Sequence, residues 1–290
     1  MKKTINQRLR EIFGEKVWKL PVNAGFTCPN LDGTLSERGC SFCSNVSFST
    51  AAYFPDKSIS EQIIEKAEIL RKRKKVRKFI AYFQNYSNTY APAGILRARL
   101  NEALSTGIIS GISAGTRPDC ISGDVTEVLR ETSSQTYLSI ELGLQSANDM
   151  TLLRINRGHD SASFKKAEKT LSDIGIETTA HVIAGLPGEK KNNFIETAEF
   201  LNNTGIRGIK IHNLFVAKNT ELESLFHKGK YRPLTEDEYT DWLFSFLEKL
   251  RDDIIIHRLV SDPMKGTLIS PVWAEGAKTR ITKKLSGFFS

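Results

Sequence analysis

The passage that decides the fold is a short β-rich run, Lys16-Val-Trp-Lys-Leu-Pro-Val22, and the loop it opens into. That loop reads Asn23-Ala-Gly-Phe-Thr-Cys28-Pro-Asn-Leu-Asp-Gly-Thr-Leu-Ser-Glu-Arg-Gly-Cys40-Ser-Phe-Cys43. Five more β-rich runs follow at Lys78–Phe83, Gly111–Ala114, Gln135–Gly143, Glu177–Ala184 and Arg207–Phe215. Between them, apolar residues recur at helical spacing: Ile63/Ala67/Leu70, Leu96/Leu100/Leu104, Val125/Val128/Leu129, Phe164/Ala167/Leu171 and Phe194/Ala198/Leu201. Ser58-Ile-Ser-Glu61 reads as a capping box, and Gly175 and Gly205 fall where helices should stop. Strands alternating with helices predict βαβ units and a parallel sheet, with the chemistry in the loops at the carboxyl ends of the strands. About six units are visible, short of the eight that close a full barrel. A helix from the second capping box, Thr235-Glu-Asp-Glu238, and a last strand at Ile254–Leu259 complete the pattern.

Composition narrows the class. The chain has 290 residues, 41 Lys+Arg against 33 Asp+Glu (net charge +8), 40% apolar residues and four cysteines. These fractions belong to an ordinary globular protein and exclude disordered, collagenous and disulfide-scaffold classes. No run approaches the ~20 apolar residues of a membrane span, and no apolar stretch follows the basic start. The expectation is a cytoplasmic protein with reduced thiols, one large domain and no membrane partner. Positive charge concentrates at Arg71–Lys78, seven cations in eight residues, with four more between Lys278 and Lys284. Such a run is either a solvated helix face or the footprint of a polyanion partner.

Three cysteines lie within the 16 residues from Cys28 to Cys43. Three thiolates suit zinc with a fourth ligand, or a cubane iron–sulfur cluster with one iron left open. No histidine in the loop supplies the fourth ligand; His159, His181 and His212 are distant in sequence, although all could reach the same barrel mouth. The missing local ligand favours the cluster.

A three-cysteine loop after the first strand of a six-unit α/β barrel resembles the radical S-adenosylmethionine (SAM) enzymes. The spacing Cys-x11-Cys-x2-Cys departs from their common Cys-x3-Cys-x2-Cys and is similar to the YhcC/YtqA-type subgroup, related to the Elp3 and MiaB-like proteins. The resemblance runs from about Phe13 to Trp273. It implies a partial (β/α)6 TIM-type barrel over residues 13–234, with the cluster loop at 23–46, and a short C-terminal α/β extension over 235–290. It also implies a [4Fe-4S] cluster on Cys28, Cys40 and Cys43, and S-adenosyl-L-methionine as cosubstrate, cleaved to a 5′-deoxyadenosyl radical. Cys120 matches no ligand position and reads as packing.

Other SAM contacts follow from the same resemblance. Ser87-Asn88-Thr89 stands where the family carries a glycine-rich segment for the SAM ammonium. The run Glu141-Leu-Gly143-Leu-Gln145-Ser146 is similar to the SAM-binding strand end, with Gln145 toward the ribose, Arg157 toward the SAM carboxylate and Glu141 into the polar lumen. His181-Val-Ile183-Ala-Gly185 resembles the adenine-binding segment, with His181 replacing its first glycine and Glu189 displaced by one place. Arg117 and Asp119 read equally as a turn ion pair or as site residues. Tyr86, His212, His257 and Arg258, on strand ends, are the candidates facing the reaction chamber. The resemblance implies a tRNA wobble-uridine modification, for instance conversion of 5-carboxymethylaminomethyluridine to 5-aminomethyluridine, with Arg71–Lys78 on the RNA and a flavodoxin or ferredoxin as electron donor. The rival readings are radical SAM chemistry on a small molecule or protein, and a non-enzymatic zinc-binding RNA protein.

Overall fold

The run ahead of the cysteine loop forms β1, Val17–Val22. In the computed structural model, which describes residues 1–44, 47 and 56–289, β1 pairs in parallel with β2 (Lys78–Phe83) in the register Val17↔Lys78 to Val22↔Phe83. The sheet continues through β3 (Ile109–Thr116), β4 (Tyr137–Gln145), β5 (Glu177–Ala184) and β6 (Gly208–Asn213). Beyond β6 comes β8 (Ile255–Arg258); the sequence order is broken because β7 (Val216–Ala217) leaves to pair antiparallel with β9 (Leu268–Ser270). Among the described residues the main sheet is seven-stranded, every neighbouring pair is parallel, and β1 and β8 are not hydrogen-bonded to each other. The result is the curled, open barrel that the strand count predicts. Part of the expected cluster loop, residues 45 and 46, lies outside the described residues.

The helices return the chain outside the sheet. After α1 (Ile5–Phe13) come α2 (Ile59–Lys74), α3 (Ala93–Ser105), α4 (Gly123–Ser133), α5 (Asp149–Arg154), α6 (Ser161–Asp173), α7 (Lys191–Asn202), α8 (Glu221–His227), α9 (Glu236–Lys249) and α10 (Ala277–Lys284). Both capping boxes form: Ser58 accepts from the Glu61 amide and Thr235 from the Glu238 amide. Gly175 ends α6 at φ +77°, the left-handed turn that glycine takes without strain. Segment 235–290 supplies α9 to the helical layer and β8 to the sheet edge.

Strand alternation sorts the two faces of the sheet. On β4, Leu138, Ile140, Leu142 and Leu144 join the core under the helices, where Phe164, Phe194 and Phe246 are fully buried. Burying each such ring contributes about 1.5–3 kcal/mol. Ser139, Glu141 and Gly143, the alternate residues, therefore face the lumen.

Candidate active site

The cysteine loop is folded by its own turns. The amides of Leu31 and Asp32 donate to Cys28 O, and the Cys43 amide donates to Cys40 O at 2.9 Å. Its far arm is tied to the residues after α5, the Ser41 amide donating to Ile155 O and Asn156 Nδ2 to Gly39 O at 2.7 Å. All three thiols thereby line one cavity of about 210 Å³ at the carboxyl ends of the strands. Burial, reinforced by Cys40 and Cys28, pushes the Cys43 thiol up to about 12. Asn30 Nδ2 lies 3.5 Å and Arg157 Nη1 3.6 Å from Cys40 Sγ, placing donors against a sulfur that carries charge once it holds metal. Among the described residues no three His, Cys, Asp or Glu side chains converge on a single ion position. Three soft sulfur donors spread along one wall suit a cluster better than one ion.

Polar groups left without partners continue that wall. Arg157 Nη2 donates to Gly143 O at 2.8 Å, while its buried Nε is unpaired. A Cβ at Gly143 would lie 2.5 Å from Arg157 Nη2, so only glycine admits this guanidinium. Gln145, at φ +73°, lies at the register shift between β4 and β5 and lines the cavity with Ile183. Arg117 makes both bonds to Asp119, at 2.9 and 2.7 Å, yet keeps a buried Nη1 without a partner beside the same cavity. Asn85 is 2% exposed with both amide atoms unpaired, and it lines the cavity. Unpaired buried polar atoms are costly, and here they border a space that a polar ligand can fill.

The loop after β2 departs from expectation. Ser87 and Thr89 spend their hydroxyls on Thr116, at 2.9 and 2.6 Å, and Asn88 Nδ2 donates to the carbonyls of Phe83, Asn85 and Gly115. None of the three side chains lines the cavity; Gln84, Asn85 and Tyr86 do. Ser, Asn and Thr here are turn formers, and the unpaired amide is one residue ahead of Tyr86. Tyr86 sits at the mouth, 42% exposed at φ +60°. Gly185 does not line the cavity either: its carbonyl accepts from Tyr231, and a Cβ there would lie 3.0 Å from Leu234 Cγ. Glu189 turns aside to Ser146, and burial pushes it up to about 7. His159 borders no part of the cavity, and Cys120 is buried in the turn after β3.

The floor is built around Glu141, whose side chain is fully buried. Lys19 Nζ reaches Oε1 at 2.8 Å; the Tyr82 hydroxyl donates to Oε2 at 2.6 Å, His181 Nε2 lies 2.9 Å from Oε2, and Lys210 Nζ closes on the same oxygen. Against the burial that would raise it, Lys19 and Lys210 hold Glu141 well below the usual carboxylate range. Burial lowers His181 to about 4 and puts His212 and His257 well below the ordinary histidine range, so all three rings are neutral. His212 stands 5.2 Å from His181, ring to ring, bonds Ser261 through Nδ1, and keeps a buried Nε2 without a partner. His257 does not line the cavity; its Nε2 lies 3.5 Å from Oγ1 of Thr179, the register partner of Glu141 on β5. Arg258 does line it, and its guanidinium has no hydrogen-bond or ion-pair partner among the described residues. Lys19 and Tyr82 escape a motif reading because each stands between apolar neighbours inside its strand, and Lys210 because it lies between Ile209 and Ile211, ahead of the strand-end His212-Asn213. A polar residue at the inward position of successive strands is the signal that would have found them.

The basic run lies elsewhere. Arg71–Lys74 form the last turn of α2, Lys75 caps it at φ +51°, and Lys78 pairs with Val17 at the amino ends of the strands. The cavity opens at the opposite end. Cations at a helix carboxyl terminus are stabilising in themselves, and Arg71 stacks over Phe79 with 5.5 Å to the ring centroid. In the second run, Arg280 and Lys284 pair with Glu236.

Sequence comparisons show the family, and a structural comparison shows the same fold. The Radical SAM superfamily profile matches residues 36–201, and the Radical_SAM C-terminal domain profile residues 206–286. The chain is similar to the uncharacterized protein YtqA of Bacillus subtilis, 37% identical over 93% of this chain and 84% of that one. A shorter stretch, 42% of this chain and 23% of the other, is 29% identical to a tRNA uridine(34) acetyltransferase of Methanocaldococcus infernus. In fold the chain is similar to an N-terminally truncated Elp3 of the same archaeon, with TM-score 0.71 and 17% identity over 93% of this chain and 63% of that chain.

Proposed function

Because this chain belongs to the radical SAM superfamily, we propose that it modifies a tRNA wobble uridine, converting a 5-carboxymethylaminomethyl side chain to 5-aminomethyl. Cys28, Cys40 and Cys43 would hold the [4Fe-4S] cluster, and Gly143, Gln145, Arg157, Ile183 and Asn85 border the space beside them for SAM. When bound, cluster and SAM supply a one-electron reductive C–S cleavage and a carbon radical that abstracts hydrogen from the substrate.

The chain's own residues do the rest. Gly143 and the cysteine loop fix the Arg157 guanidinium beside Cys40, leaving one face for an anionic group. Phe42, Leu214 and Phe215 supply apolar wall, which excludes water from a reactive site. Neutral His181 and His212 border the cavity as hydrogen-bonding rings, and burial makes both too weakly basic to hold a proton at neutral pH. The observation that carries the proposal is that three thiols and a second, unpaired polar wall border one cavity. The likeness to a tRNA uridine(34) acetyltransferase supports the RNA substrate. A hydrogen on carbon between nitrogen and carboxylate is weakly held, which suits radical abstraction; loss of one further electron to the redox partner and of a proton would give an imine, whose hydrolysis would release the two carbons as glyoxylate and leave the 5-aminomethyl group. No helix among the described residues is long and apolar enough to cross a membrane, and the reading adds a flavodoxin- or ferredoxin-type donor in the cytoplasm.

The test is nucleoside analysis of bulk tRNA from a strain lacking the protein. 5-Carboxymethylaminomethyluridine should accumulate, with restoration by the wild-type chain and none by Cys40→Ala. An unchanged nucleoside profile overturns the RNA substrate and favours a small molecule or protein.

A further inference from the structure

The polar groups on β5, β6 and β8 that line the cavity beside the thiols are not candidates for holding a cluster, and their charges do not balance. Two amino groups, Lys19 and Lys210, share the single carboxylate of Glu141, and burial lowers Lys210 to about 7, so that a further anion beside it would favour its charged form. Lys210 has three N–H bonds; Glu141 and the Tyr82 hydroxyl, at 2.9 Å, take two. Arg258 adds a further cation with no partner among the described residues, near enough to act on Lys210, His181 and His212. Asn213 is independent of that charge count. It is 3% exposed, its Oδ1 accepts from the Ser261 amide at 2.7 Å, and its buried Nδ2 has no acceptor. All three residues line the same cavity, with the unpaired Nε2 of His212 between β6 and β8. Besides Glu141, the one acid lining the cavity is Asp262, at the exposed rim.

We propose that Lys210, Arg258 and Asn213 form an anion subsite that takes a carboxylate of the substrate. The arginine fork matches a planar carboxylate with two parallel bonds, and Lys210 and Asn213 offer a donor each from deeper in the cavity. A carboxylate held there shares one cavity with the three thiols, so the carbon attached to it stays in the same enclosed space as the SAM site. The subsite rests on the uridine reading only for the identity of the molecule that bears the carboxylate.

The test uses the anaerobically reconstituted enzyme with SAM bound and N-methylglycine as probe, followed by calorimetry. N-methylglycine should bind, methylamine should not, and inorganic phosphate should bind at least tenfold more weakly. Arg258 is exposed, so Arg258→Gln should fold normally. It should weaken N-methylglycine roughly ten- to a hundredfold, the loss expected of one charge-assisted contact, and leave SAM affinity within twofold. Absence of binding to the wild type, an unchanged affinity in Arg258→Gln, or phosphate binding as tight as N-methylglycine each overturns the subsite. An anticodon stem-loop bearing the modified uridine forms the second arm. If it fails to bind while N-methylglycine binds in an Arg258-dependent way, the RNA reading falls and the subsite stands.

Discussion

Two clusters of like residues stand out in this sequence, the cysteines of 28–43 and the cations of 71–78, and the fold sends them to opposite ends of one βα unit. The cysteine loop leaves the carboxyl end of β1 and lines the cavity; the cations close α2 and enter the amino end of β2. Both are equally conspicuous as strings of letters. Chain direction separates them: in a parallel unit every strand exit faces the site and every helix exit faces away from it. The positive charge that does reach the cavity is dispersed. Arg117, Arg157, Lys210 and Arg258 come from four separate segments, and no local pattern announces them.

The hardest way to break this contrast is to remove a thiol. Single replacement of Cys28, Cys40 or Cys43 by Ala should abolish cluster iron after anaerobic reconstitution, because no other cysteine lines the cavity. Cys120→Ala should keep full iron content by colorimetric assay and lose only packing. Iron loss in Cys120→Ala equal to that in Cys40→Ala would dissolve the distinction between the loop and the rest of the chain.

Next in size is the floor. Glu141→Gln leaves Lys19 and Lys210 without their counter-ion, and breaking a buried pair in this way costs about 3–5 kcal/mol. Urea denaturation should show that loss; a change below about 1 kcal/mol would mean the network is solvated. Acid should act in the same direction. Glu141 is depressed in the folded state, so its contribution is complete above the ordinary value of 4.5 and is lost as pH falls through the folded value. The histidines are depressed from 6.5, so below that pH the unfolded chain takes up protons first. Stability should therefore decline from about pH 6.5 downward, by up to about 1.4 kcal/mol per pH unit for each buried histidine. A stability that rises between pH 7 and pH 5 would contradict the neutral-ring assignment.

This floor also marks where sequence reading ends. The lumenal position of Glu141 is legible, since Ile140 and Leu142 beside it are apolar and strand alternation does the rest. Its partners are not, because Lys19, Tyr82, His181 and Lys210 lie on four other strands and meet only through register, as in Gly143↔His181 and His181↔Lys210. The same limit misdirects the β2 loop. Ser87-Asn88-Thr89 and Asn85 are equivalent as letters, and only the hydroxyl bonds to Thr116 show which side chains are already spent.

Arg157 offers a smaller and sharper contrast within the site. It touches Cys40 Sγ and Gly143 O but holds no metal, so Arg157→Ala should retain its iron. SAM affinity should fall roughly ten- to a hundredfold, about 1.5–3 kcal/mol for a charge-assisted contact. Anaerobic SAM titration beside an iron assay separates the roles. Loss of iron together with SAM would make Arg157 a support for the loop, and unchanged SAM affinity would make it a packing residue.

The smallest effect should come from the most charged segment. Arg73/Lys74/Lys75→Gln removes three cations at the carboxyl end of α2, where they interact favourably with the helix dipole, at about 0.3–1 kcal/mol each when screening is low. A slight drop in melting temperature is expected, while substrate KM and SAM cleavage stay within twofold. If RNA reached this end of the barrel, each lost phosphate contact would flatten the plot of log affinity against log salt by about 0.7–0.9, a change of roughly 2–3 for the triple variant. With the run at the amino ends of the strands and the cavity at the carboxyl ends, the slope should move by less than 1. A full change of 2–3 would mean that the RNA wraps from the mouth to the far end of the sheet, and that both clusters serve the same substrate after all.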